Sequence, residues 1–195
     1  MPEQTAVFPV STIASHPWTH FDEALAIALL RGFGRERFPG IENAQVEFWG
    51  RAVPIEGRGL KEGVLCIGVG EGLFDEHQVN GRNAKACATT LVADYLGISK
   101  IGSPLNGLLS YALDVDSNPV ASPYSLPTIL KDVNLLYAES PSDVLEWATI
   151  ALNCHIERMC STTPAGTYCT ENLLDVALAD FLCQNASQIP GHHHK

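Results

Sequence analysis

Apolar residues change their period several times along this chain, and each change marks an element. Residues 7–14 carry β-branched side chains up to a break at His16-Pro17, which predicts a first strand. Residues 21–31 are apolar on nearly every helical face, so a helix buried in the middle of the protein is expected there, ended by Gly32 and Gly34. A second short strand is predicted over 45–49. Residues 64–69, VLCIGV, form a continuous apolar run of strand length without alternation, the pattern of a parallel strand covered on both faces. Further helices are predicted over 84–96, closed by Gly97, and over 103–113, 128–137, 142–159 and 171–183. Strands alternating with helices define an α/β fold, a mostly parallel sheet flanked by helices over residues 1–120, with a helical C-terminal part over 121–190 packed on the same domain.

Polar residues crowd three places in this pattern. The first is the strand-to-helix junction, where His16, His20 and Asp22 form H-x-x-x-H-x-D and Glu23 follows. Thr19 with Asp22 makes a loose capping box, so the helix is expected to begin near His20, with Asp22 kept ionised by the helix dipole. Imidazole and carboxylate oxygen together suit manganese, zinc or iron better than calcium. The second is Asp75-Glu76-His77, three metal-binding or proton-transferring groups at the end of a buried strand. The third is Asp114-Val115-Asp116-Ser117-Asn118, read either as a turn with Asx-type hydrogen bonds or as a further carboxylate completing a site. Open α/β sheets hold their ligands at the carboxyl ends of strands, so the three clusters are expected in one cleft. The glycines at 68, 70 and 72 do not form a dinucleotide fingerprint, because the third lies at the wrong spacing and no long helix follows at once.

Composition narrows the partners. The chain has 195 residues, 46% of them hydrophobic and 17% charged, enough for one substantial core. A net charge of −10 argues against broad neutralisation of duplex nucleic acid. The first 85 residues nevertheless hold 8 of the 12 Lys and Arg, so a phosphate-facing surface is expected among Arg31, Arg35, Arg37, Arg51, Arg58, Lys61, Arg82 and Lys85. Six cysteines without a C-x-x-C are read as reduced and idle, although Cys154, His155, Cys160 and Cys169 can be assembled into a zinc site on paper. The start MPEQTAVFPV has no basic region, and the longest apolar stretch, residues 24–30, is far below a membrane span, which predicts a cytoplasmic protein with no membrane partner.

Taken in order, H-x-x-x-H-x-D-E at 16–23, F-D-E-H-Q at 74–78 and L-D-V-D-S-N at 113–118 resemble the DHH phosphoesterase superfamily. The nearest branch looks like the metal-dependent hydrolases of the melanocyte-proliferating-gene type. The resemblance covers residues 6–118 and implies a DHH-like core over 1–120 that binds one or two divalent ions, usually manganese, for hydrolysis of phosphate esters on nucleotides or short nucleic-acid ends. It implies His16, His20, Asp22, Asp75, Glu76 and Asp114 as metal ligands, with Glu76 where the family's ligand histidine stands and His77 where its substrate-contacting histidine stands. Glu76 and His77 are the residues it implies for catalysis. Gly68 stands where the family carries a bridging aspartate, so a noncatalytic metal- or ligand-binding descendant is the alternative, and Gly68→Asp is expected to raise metal content or rate. Self-association is left open.

Overall fold

The structure is a computed structural model that describes residues 6–50, 59–77, 86–118 and 122–161. It contains three parallel strands, β1 (Thr12–Ser15), β2 (Gln45–Phe48) and β3 (Val64–Cys66), in the order β2-β1-β3. β1 pairs with β2 from Thr12↔Gln45 to Ser15↔Phe48 and with β3 from Thr12↔Val64 to Ala14↔Cys66. Five helices accompany them: α1 (Phe21–Phe33), α2 (Ala88–Leu96), α3 (Asn106–Ser117), α4 (Leu126–Leu136) and α5 (Pro141–Cys160). The α/β arrangement expected from the alternating pattern is therefore present.

α1 is the centre of the protein. Residues from Ala24 to Leu30 are 0–1% exposed, and α1 packs against α2, α3, α4 and α5. A helix without a polar face is stable only where every side has a partner, which is what the uniform apolar run anticipates. One sheet face places Ile13, Leu65 and Ile67 in the main core with α1, while Ala14, Trp49, Val64, Cys66 and Val69 form a smaller apolar cluster. This explains the absence of alternation in VLCIGV, since both faces of β3 are covered.

Three boundaries differ from the pattern-based expectation. The strand anticipated over 7–14 is extended chain until Thr12, because Phe8 and Val10 donate their backbone N–H groups to Arg37 and Pro39 rather than to a ladder. α2 begins at Ala88, with Cys87 as its extended N-cap. α3 runs to Ser117, so 114–117 is helix rather than turn. α4 and α5 belong to the same compact unit, which extends through Cys160; the helix expected over 171–183 lies outside the described residues.

Candidate metal centre

β1 and β3 end side by side, and the segments that leave them build a cleft of about 230 Å³ lined by His16, Thr19, His20, Asp22, Glu23, Gly68, Glu76, His77, Asp116 and Lys131 among others. Parallel strands aim their carboxyl ends the same way, so residues 53 positions apart in sequence, Glu23 and Glu76, are delivered to one cleft. α1 enters the cleft with its first turn. Its N-cap is His20, one residue later than the Thr19 cap expected, and the box partner is Glu23 rather than Asp22: the His20 N–H donates to Glu23 Oε2 at 3.0 Å, and His20 Nδ1 lies 3.1 Å from Glu23 Oε1. α2 braces this turn, because Thr89 Oγ1 donates to the Asp22 carbonyl at 2.6 Å.

The loop after β3 is organised by Asp75. Its Oδ2 accepts the Glu71 N–H at 2.8 Å and its Oδ1 accepts the His77 N–H at 2.9 Å, with His77 Nδ1 at 3.2 Å. Both oxygens of Asp75 thus hold the loop and orient the His77 ring. Glu76 lines the cleft, with Oε1 3.2 Å from His77 Nδ1. Its Oε2 is buried and has no hydrogen-bond partner among the described residues.

α3 supplies the last carboxylate, and it is Asp116. Ala112, Val115 and Asp116 line the cleft at positions i, i+3 and i+4, one helical face. Two positions along a helix turn through roughly 200°, so Asp114, the residue expected in the site, lies on another face, exposed, where its Oδ1 accepts from Asn118 Nδ2 at 3.2 Å. The turn with Asx-type bonds expected at 114–118 is not what forms there: 114–117 is helix, and the Asp114–Asn118 bond joins two side chains. Asp116 was not distinguishable from Asp114 without knowing that α3 continues to Ser117.

Potential ligand atoms form three groups, each with all members within 4.8 Å of one another: His20, Asp22 and Glu23; Asp75, Glu76 and His77; and Asp22, Glu76 and Asp116. Asp22 and Glu76 each belong to two groups, so the three are continuous. His16 joins none of them. It lines the cleft and stacks on His20 with ring centroids 5.4 Å apart, but its Nδ1 accepts the Trp18 N–H at 3.1 Å.

Carboxylates packed this closely destabilise one another. Burial holds the Asp22 carboxyl well above the usual aspartate range, and the neighbouring Glu23, Asp116 and Glu76 push in the same direction. The dipole of α1 was expected to keep Asp22 ionised. That expectation fails because a helix N-terminus contributes only about 0.3 to 1 kcal/mol, less than the cost of burying the charge beside like charges. Burial likewise raises Glu76. The arrangement could hold a divalent cation, which would give Glu76 Oε2 a partner and offset the repulsion between the carboxylates.

Gly68 explains how the cleft admits Glu23. It has φ +65°, and a Cβ there would stand 2.9 Å from both Glu23 Cγ and Oε1. The Glu23 side chain, contributed by α1, therefore occupies the space beside Gly68. Glu23 was visible as part of D-E in the first motif, but only the tertiary contact reveals where its side chain goes.

The other sequence candidates are accounted for as follows. Among the described residues no cysteine joins a ligand group; Cys66 and Cys87 are buried free thiols, and burial, with Asp22 nearby, pushes Cys87 up to about 12. Cys169 and Cys183 lie outside the described residues. No helix among the described residues is long and apolar enough to cross a membrane. Arg35 pairs with Glu42 at 3.3 Å and Arg31 donates to the Ala44 carbonyl at 3.3 Å. The described members of the expected phosphate-facing set, Arg31, Arg35, Arg37 and Lys61, do not line the cleft, and Arg51, Arg58, Arg82 and Lys85 lie outside the described residues.

Fold and site together define an α/β protein with a carboxylate- and imidazole-lined cleft at the carboxyl ends of parallel strands. Compared with protein-family models, curated proteins and solved structures, the chain matches none.

Proposed function

We propose that the protein is a divalent-metal-dependent phosphoesterase with a DHH-like core, acting on nucleotides or short nucleic-acid ends, with manganese as its leading ion and zinc or iron as alternatives. The observation that carries this reading is the convergence of Asp22, Glu76 and Asp116, ligand atoms within 4.8 Å, with one buried Glu76 oxygen that has no hydrogen-bond partner among the described residues. The order of the three sequence motifs supplies the reaction class.

Asp22, Glu76 and Asp116 would hold the ion, with His20 and Glu23 on one side and His77 on the other. When bound, a divalent ion lowers the pKa of water and stabilises charge developing on a phosphoryl oxygen. His77, 29% exposed and held at Nδ1 by Asp75 and Glu76, is oriented to hold a phosphate oxygen or move a proton at its other ring nitrogen. Asp75 acts through His77, as a positioning residue.

The test is metal analysis of protein purified without added metal, followed by assay of the manganese-loaded protein on bis(nitrophenyl) phosphate. Slow, manganese-stimulated hydrolysis that is lost in His77→Ala is expected. Metal binding with no hydrolysis above the His77→Ala control would make the protein a noncatalytic metal-binding domain, and absence of metal binding would overturn both readings.

A further inference from the structure

The carboxylate groups do not account for one side of the cleft. Thr19 lines it and is only 3% exposed, yet its Oγ1 is buried with no hydrogen-bond partner among the described residues. The usual task of a threonine just before a helix is capping, but here His20 and Glu23 cap α1. The backbone of Thr19 is satisfied by α4, because its N–H donates to Asn134 Oδ1 at 3.1 Å and Asn134 Nδ2 donates to its carbonyl at 2.8 Å. A buried hydroxyl left unpaired costs about 1 to 3 kcal/mol, so one that is held in place by a buried asparagine clamp has the properties of a ligand contact.

The same clamp positions a cation. Asn134 sits one helical turn after Lys131, and Lys131 lines the cleft from α4. Among the described residues it is the one Lys or Arg that does so. It comes from the acidic second half of the chain, opposite to the expectation from charge distribution, because α4 folds back over the junction between β1 and α1.

We propose that Thr19 Oγ1 and Lys131 Nζ form an anion subsite that receives the oxygens of a substrate phosphate group facing away from the carboxylate cluster. Four carboxylates on the cleft wall, those of Asp22, Glu23, Glu76 and Asp116, repel a phosphate. A bound cation offsets that repulsion on one side, and the lysine with the hydroxyl donor offsets it on the other. The subsite deepens the phosphoesterase reading and rests on it for its place in a reaction, selecting phosphate esters over uncharged ones; phosphate binding itself is measurable without turnover.

Inorganic phosphate is titrated calorimetrically into the manganese-treated full chain, wild type, Lys131→Ala and Thr19→Val. Lys131→Ala is expected to weaken phosphate binding about tenfold or more, the size of a charge-assisted hydrogen bond, and Thr19→Val several-fold. Both variants should retain the manganese content of the wild type, and in a nitrophenyl phosphate assay their loss should fall on KM more than on kcat. Thr19→Val keeps the side-chain shape and removes no hydrogen bond seen in the structure, so folding is preserved where the larger change is in doubt. Wild-type affinity in both variants, or no phosphate binding by the wild type, overturns the subsite. Lys131-dependent phosphate binding without hydrolysis keeps the subsite and removes the esterase; hydrolysis lost in His77→Ala with both variants binding phosphate normally does the reverse.

Discussion

The first turn of α1 and the two turns that follow it are buried almost equally and for opposite reasons. Asp22 and Glu23 are 5% and 6% exposed, while Leu25, Ile27, Leu29 and Leu30 are at 0%. In the later turns, each large apolar side chain removed from water contributes about 1.5 to 3 kcal/mol. In the first turn, burial raises the proton affinity of Asp22 and brings carboxylates together, which costs stability. One helix thus supplies the strongest part of the core and the most strained part of the cleft. The apolar turns are the scaffold on which these like charges sit side by side.

The largest effect is expected where the scaffold itself is cut. Leu29→Ala, at a site with no exposure, should cost about 2 to 5 kcal/mol in urea unfolding, yet the fraction that remains folded should bind manganese as the wild type does. A loss of metal affinity in that folded fraction would show that core and cleft are not separable.

Gly68→Asp should follow, with a cost of about 1 to 3 kcal/mol from the positive φ and from displacement of Glu23. It should lower manganese affinity rather than raise it, which reverses the outcome implied by placing a bridging aspartate there. Combining it with Glu23→Ala removes the side chain that a Cβ at 68 would meet, and part of the metal affinity should return. Equal titrations of the single and double variants would end the idea that Glu23 occupies that space.

Asp22→Asn is expected to act in the other direction on stability. It should remove bound metal while making the metal-free protein more stable, since the cost of burying an ionisable carboxyl among like charges is removed. The pH dependence has the same origin. Asp22 and Glu76 bind protons more tightly folded than unfolded, so their contribution is full below the unfolded pKa and is lost as pH rises through the folded one. Metal-free protein should therefore lose stability on this account from about pH 4 upward. Manganese competes with those protons, so the rise in Tm that it produces should grow as pH rises above about 4. Melting curves with chelator and with manganese across that range would decide it, and a manganese effect that shrinks with rising pH would contradict the assignment.

The smallest stability change and the sharpest contrast come from α3. Asp116→Asn should weaken manganese binding, whereas Asp114→Asn, at an exposed side chain bonded to the C-cap Asn118, should change stability by less than about 0.5 kcal/mol and leave metal content alone. The opposite pattern would restore the ligand set implied by motif position.

The sequence by itself determined the elements whose physics is local or nearly so. The apolar stretch of α1, the uninterrupted run of β3, the glycine at 97 and the start of α5 follow from periodicity, breakers and capping chemistry, each acting over a few residues. It also brought His20, Asp22, Glu76 and His77 to notice, because polar groups at strand ends stand out against an apolar pattern. Which carboxylates share the cleft was decided only by tertiary structure. Choosing Asp116 over Asp114 requires the length and rotation of α3, and the role of Glu23 requires its contact with Gly68, 45 residues away. Thr19 and Lys131 were similarly invisible: a threonine before a helix reads as a cap and a lysine on α4 as solvated charge until the Asn134 clamp, spanning 115 residues, sets both against the same cleft. Long-range contacts of this kind leave no periodic trace, since neither partner's immediate neighbours change in response to them.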